Sequence, residues 1–121
     1  MRRIRGALAS LALAAVAGAA QAQDAAKGAD VYQERCASCH VLNGIGQGPS
    51  LVGVVGRKAA SIPGFNYSDA MKASGLTWTP ANLDRFVSGP TKLVPGTAMR
   101  AIVPDPTERR DLIAYLGSLK N

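Results

Sequence analysis

The sequence predicts a small all-α domain, and three observations carry that reading. Apolar residues recur at helical spacing in stretches that begin on helix-starting pairs such as Thr79-Pro80 and Asp105-Pro106. Two stretches rich in glycine or proline, 41–64 and 91–104, have no period and read as long loops. Alternating apolar runs joined by hairpin turns are not found, so no strand pair is expected.

The elements follow in chain order. Met1-Arg2-Arg3-Ile4-Arg5 precedes an alanine- and leucine-rich run from Gly6 to Ala20, which ends in the small-x-small triplet Ala20-Gln21-Ala22. A basic start, a short apolar middle and that triplet predict a cleavable secretory signal over residues 1–22. The run lacks the ~20 large apolar residues a membrane span prefers. Cleavage leaves one domain, residues 23–121. Its first helix is expected over 24–36, with Gly28, Tyr32 and Cys36 four apart on one face. A short helix begins near Ser68 or Asp69 and stops at Gly75. The next starts at Thr79-Pro80, buries Leu83, Phe86 and Val87, and ends at Gly89-Pro90. The last opens on Asp105-Pro106-Thr107-Glu108, which has the form of a capping box, and carries Leu112, Ile113, Leu116 and Leu119 as its stripe with Tyr115 beside them.

Charge excludes one class of function. The balance of the whole chain is +6, but Arg2, Arg3 and Arg5 leave with the signal; 11 basic residues then face 8 acidic ones, a balance of +3. The remaining basic residues are scattered, with no basic run to mark a nucleic-acid or membrane surface. An exported, soluble, periplasmic protein is the expectation.

The chemistry is concentrated in Cys36-Ala37-Ser38-Cys39-His40. Cys-x-x-Cys-His is the attachment pattern for c-type haem: two thiols add to the two vinyl groups, and the adjacent imidazole becomes the proximal iron ligand. A thioredoxin-like redox pair would need alternating strands and helices. A structural zinc site would need a fourth ligand from a second Cys/His cluster. A disulfide across two intervening residues would constrain little of the unfolded chain. Haem c, one per chain and bound through two thioethers, is the reading that uses every residue of the motif. It also explains how a domain with only six aromatic residues finds enough core, because the porphyrin is a large apolar body.

His40 is the only histidine, so the second axial ligand must come from elsewhere. Met1 leaves with the signal, and Met71 and Met99 remain. Met71 stands in a short helix beside Ala70 and Ala73, where methionine is usually a packing residue. Met99 stands in the proline-stiffened loop Val94-Pro95-Gly96-Thr97-Ala98-Met99, which can aim a thioether. The expected iron ligands are therefore His40 and Met99.

Beyond the motif, ordered matches run through nearly all of residues 23–121: Gly48-Pro49-Ser50-Leu51-Val52-Gly53, Gly56-Arg57-Lys58, Pro63 to Ala70, Gly75-Leu76-Thr77-Trp78, Pro95 to Met99, and Asp111 to Leu116. On these the chain resembles the class I cytochromes c of the mitochondrial-like bacterial group. The resemblance implies a small fold of about four helices and long loops wrapped around one covalent haem. It implies that the Pro49 carbonyl accepts the ring N–H of His40, and that Arg57, Tyr67 and Trp78 surround the haem propionates with Thr97 near that side. It implies that Gly28 and Tyr32 pack on Leu112 and Tyr115. Two positions depart from the family pattern. Phe86 stands where a tyrosine often donates to the ligating sulfur, and Met71 where an asparagine often lies near a buried water; both predict a drier pocket. The segment between His40 and Pro49 is also shorter than in the mitochondrial proteins.

The functional expectation is a monohaem carrier passing single electrons between larger redox partners through an exposed haem edge, and not an enzyme, because both axial positions are filled. Arg35, Lys92 and Arg100 could form a loose basic rim for an acidic partner, or be ordinary solvated charge. The partners expected are a periplasmic dehydrogenase, an oxidase or a membrane electron-transfer complex, and a single small domain predicts a monomer. The rival readings are a haem subunit dedicated to one periplasmic dehydrogenase, a peroxidase with an open distal position, and a gas sensor in which Met99 is displaced.

Overall fold

The computed structural model describes residues 6, 9–12 and 23–120. Most of the expected export signal, 1–22, lies outside the described residues. Among the described residues five helices follow one another: α1 Ala25–Arg35, α2 Asp69–Ala73, α3 Pro80–Ser88, α4 Pro90–Leu93 and α5 Pro106–Ser118. Among the described residues the only β pairing is an isolated antiparallel bridge between Lys58 and Thr77. No helix among them is long and apolar enough to cross a membrane.

Side-chain caps start four of these helices. The Asp24 carboxylate accepts from Lys27 N, Ser68 from Met71 N, and Thr79 from Asn82 N. Asp105 accepts from both Thr107 N (2.7 Å) and Glu108 N (2.9 Å). The carboxylate of Glu108 lies 3.9 Å from Arg35, so the capping pattern serves a second contact.

α4 corrects the sequence reading, which placed 91–104 in loop throughout. On that reading Pro90 stops α3. A proline lacking its N–H is equally suited to the first position of a new helix, and here it holds that position in α4 while Gly89 caps the end of α3.

The helical frame is the crossing of α1 on α5, the most extensive helix contact in the fold. A Cβ built on Gly28 would lie 1.9 Å from the Asp111 carbonyl oxygen, 2.5 Å from its carbon and 2.8 Å from Tyr115 Cβ. The two backbones touch, and only glycine permits it. Around that contact Tyr32 and Leu112 are each 1% exposed, and the rings of Tyr32 and Tyr115 sit 5.5 Å apart at 49°. Asp24 N also donates to the buried Asp111 carboxylate at 2.9 Å, tying the start of α1 to the middle of α5.

The loops are pinned to this frame by backbone bonds. Trp78 N donates to Arg57 O, Gly56 N to Trp78 O and Ala59 N to Leu76 O, each at 2.8 Å. This short ladder sets Arg57 beside Trp78. Gly53 N reaches Leu119 O at the end of α5 (2.7 Å). The buried apolar side chains of α1, α3 and α5, with Cys36, Val54, Met71, Trp78, Val94 and Val103, form one continuous cluster.

Candidate functional site

The motif directly follows α1. Cys36 N donates to Tyr32 O, and Cys39 N and His40 N both donate to Cys36 O (3.1 and 2.8 Å), so the chain leaves the helix in tight turns. Those turns bring Cys36, Cys39 and His40 to the wall of one cavity of about 390 Å³. Every site residue expected from sequence lines it: the three motif residues with Pro49, Arg57, Tyr67, Trp78, Thr97 and Met99. The remaining wall is mainly apolar, built by Leu51 and Val54 of the long loop, Leu83, Phe86 and Val87 of α3, and Leu112 and Leu116 of α5.

His40 is held at three points. Its Nδ1 lies 2.8 Å from the Pro49 carbonyl. That oxygen can only accept, so Nδ1 carries the proton and Nε2 keeps its lone pair. Burial pulls the imidazole below its ordinary pKa, with the Pro49 bond opposing and the Arg57 charge adding to the fall. The ring is thus neutral and able to ligate at physiological pH. Gly48 lies flat against it, where an added Cβ would meet Cε1 at 2.4 Å and Nδ1 at 2.6 Å. The third point is the backbone, where the hydroxyl of Tyr32 donates to the His40 carbonyl. From sequence Gly48 has no role and Tyr32 only a packing role against α5, so neither contact to His40 is expected. The signals were present: a glycine just before the acceptor proline, and a tyrosine whose buried hydroxyl must find a partner. We expect Gly48→Ala to push the imidazole off its line and to destabilise the holo-protein by about 1–3 kcal/mol. The visible spectrum and a denaturant titration check this; an unaltered spectrum at unaltered stability would show that the ring has room.

The cysteines differ in setting. Cys36 is buried, and that burial pushes its thiol up to about 11, with Arg35 opposing. Cys39 is half-buried, with its Sγ 3.3 Å from Gln47 Oε1. The two are not joined in a disulfide. Among the described residues no cluster of three or more His, Cys, Asp and Glu side chains could hold a metal ion.

The polar residues gather at the long loop. Arg57 donates from Nη1 to Val52 O (3.1 Å) and from Nη2 to Ser50 O (3.0 Å). Burial draws its pKa down, with Tyr67 opposing. A partly desolvated cation facing a cavity is matched by an anionic group placed there. The Tyr67 hydroxyl accepts from Ile62 N (3.1 Å) and keeps its own proton for another partner, while its ring meets Phe65 edge-on at 4.7 Å. Trp78 packs on Phe86 with centroids 4.9 Å apart.

Met99 is carried by the loop between the buried Val94 and Val103. Thr97 N donates to Val94 O, and Gly96 turns the chain at φ +91°. A side chain at Gly96 would be strained by that φ and would close on Ala70 Cβ at 3.2 Å. Met71, buried on α2, lines the same cavity, as does Phe86. Of the three residues considered for a basic rim, Arg35 and Arg100 line the cavity and Lys92 does not. Arg35 is also engaged, with Glu108 at 3.9 Å and the Ile102 carbonyl at 3.5 Å.

The residues present fit a covalent haem: two thiols, a neutral imidazole with a free Nε2, a thioether, an apolar wall and a desolvated guanidinium. Comparison with known proteins agrees. The family model "Cytochrome c" matches residues 25–120. Cytochrome c2 of Rhodomicrobium vannielii is 44% identical over 98% of this chain and 97% of its own length. Cytochrome c2 of Rhodopila globiformis is also 44% identical, over 85% of this chain and all of its own. The solved structure of cytochrome cH from Methylobacterium extorquens superposes with a TM-score of 0.75 at 44% identity, covering 78% of this chain and 98% of that one. With a family model spanning its helices and relatives matched almost end to end, the chain belongs to the cytochrome c family, as a monohaem electron carrier rather than an enzyme, with one covalently attached haem c.

Proposed function

We propose that the protein is a soluble periplasmic carrier whose haem iron is ligated by His40 and Met99, and that it shuttles single electrons between larger redox proteins. The observation that carries this reading is the convergence of Cys36, Cys39, His40 and Met99 on the wall of one apolar cavity. Cys36 and Cys39 would hold the group by thioethers, and His40 Nε2 and Met99 Sδ would ligate the iron. Arg57, Tyr67, Trp78 and Thr97 would satisfy the propionates. When bound, haem c supplies a one-electron iron couple.

The chain's own residues do the rest. Pro49 fixes the His40 tautomer and strengthens the imidazole as a donor. The apolar wall excludes water, and Phe86 and Met71 in place of polar side chains keep the region beside Met99 dry. Cys39 and Gln47, with Arg35, Arg100 and Ala101 also lining the cavity, mark the rim through which a partner would reach the haem edge. With His40 and Met99 both committed to the iron, the site would leave no place for a substrate.

Export rests on residues 1–22, whose basic start, apolar run and small-x-small triplet form a secretory signal. The domain proper is then 23–121, expected to be monomeric. Its donor and acceptor would be a periplasmic dehydrogenase, an oxidase or a membrane electron-transfer complex. The test is redox titration of the mature holo-protein with exposure of its reduced form to carbon monoxide. We expect a single reversible one-electron wave and no carbon monoxide complex. Tight carbon monoxide binding by the native protein would overturn the closed-site reading in favour of a sensor or peroxidase.

A further inference from the structure

The loop that carries Met99 ends in three consecutive carbonyls, each of which accepts from an arginine side chain. Arg35 at the end of α1 donates from Nη1 to Ile102 O (3.5 Å). Arg109 in the first turns of α5 donates from Nη1 to Val103 O (3.0 Å) and Pro104 O (2.7 Å). Each guanidinium is oriented by an acid. Arg109 Nε sits 2.8 Å from Asp84 Oδ1 on α3, and Arg35 Nε lies 3.9 Å from Glu108 on α5. The same stretch is stitched to α3 by Val103 N donating to Val87 O (2.8 Å). The Arg109 side chain is only 14% exposed, and its bonds to Asp84 and Val103 O are partly buried, while the bond to Pro104 O faces solvent.

We propose that Arg109, with Asp84, is a positioning pair for Met99: it locks the exit of the ligand loop to α3 and α5 and so sets how often the Met99 thioether leaves the iron. Arg35 and Glu108 form an exposed and weaker second limb of the same clamp. The inference rests on Met99 being the axial ligand, and extends that reading to residues that do not touch the haem. Its physical basis is the geometry of the guanidinium. One planar fork spans Asp84, Val103 O and Pro104 O from a single side chain, whereas a lysine ammonium is a point charge that cannot match all three. The loop's other end is held differently, by Val94 N on Pro90 O of α4 and by the Val94 side chain in the core. The Arg109 side is thus the end at which side-chain bonds, and not backbone bonds and packing alone, hold the loop.

The test uses ferric holo-protein and free imidazole, which can bind the iron once Met99 has left it. Affinity and binding rate are read from the visible spectrum, and global stability from a denaturant titration. Met99→Ala sets the open limit and should bind imidazole tightly and at once. We expect Arg109→Lys to raise imidazole affinity about tenfold or more over the native protein. Asp84→Asn should move it in the same direction by less. Val31→Ala, in the buried face of α1, should lower the denaturation midpoint while leaving imidazole affinity within about twofold. Arg109→Lys that binds like the native protein, or that gains affinity no more than Val31→Ala does, would overturn the clamp. If Met99→Ala binds imidazole no better than the native protein, the ligand assignment fails and the clamp with it. Should Arg109→Lys not fold, Asp84→Asn decides by the same criterion.

Discussion

Met99→Ala should abolish the methionine–iron charge-transfer absorption of the ferric protein and lower its reduction potential by on the order of 0.1 V or more. A thioether stabilises ferrous iron relative to ferric, and nothing else on the loop can replace it: Thr97 is a poor ligand, and Ala98 has no donor. Met71→Leu should leave the absorption in place, since Met71 packs on α2 with its backbone N–H on the Ser68 cap and its carbonyl on Ser74. The pair of variants is decisive because both methionines line the cavity. Loss of the band in Met71→Leu with retention in Met99→Ala would reverse the assignment. Potentiometry of the same samples supplies the second readout.

The second large effect is structural. Gly28→Ala should destabilise the holo-protein by on the order of 3 kcal/mol or more. That is a large part of the 5–15 kcal/mol typical of a domain. The added methyl carbon has no flexible neighbour to displace. Two of its three nearest atoms are the backbone carbonyl carbon and oxygen of Asp111, so relief requires α1 and α5 to move apart. Separation would uncover Tyr32 and Leu112 and loosen the Asp24–Asp111 bond. It would also tilt the end of α1, from which Cys36, Cys39 and His40 emerge. Denaturant unfolding, followed by fluorescence of the single tryptophan Trp78, measures the loss. A change below about 1 kcal/mol would mean that the helices cross with more clearance than the geometry gives.

Most of the helical frame was legible because its signals are local. The Thr79-Pro80 and Asp105-Pro106 starts are capped as their residue types require. The four-residue spacing of Gly28, Tyr32 and Cys36 marks the face that α1 turns inward. α4 was missed because four residues cannot display a period, and a Gly-Pro pair reads equally as an end or a beginning. The Lys58–Thr77 bridge was invisible for another reason: it joins two loop segments that neither alternate nor share a turn.

The site was legible to a different degree at each residue. The composition of the motif and the uniqueness of His40 are facts of sequence, and they make Met71 and Met99 the candidates for the proposed second ligand. The gathering of Arg57, Tyr67 and Trp78 on one cavity came through family resemblance, since nothing in their local sequence says that they meet. Arg109 gave no sign at all. It sits in an ordinary charged stretch, Glu108-Arg109-Arg110, and its three partners come from α3 and from a loop that approaches from the other side.

Local sequence thus carries the chemistry of the cofactor, because covalent attachment depends on residue identity and short spacing. It also determined where the helices start, since capping is settled within four residues. Tertiary packing sets how closely α1 meets α5, what holds the His40 ring and carbonyl, and which side chains hold the exit of the Met99 loop. Those features are distances between segments far apart in the chain, and they come into being only when packing brings the segments together.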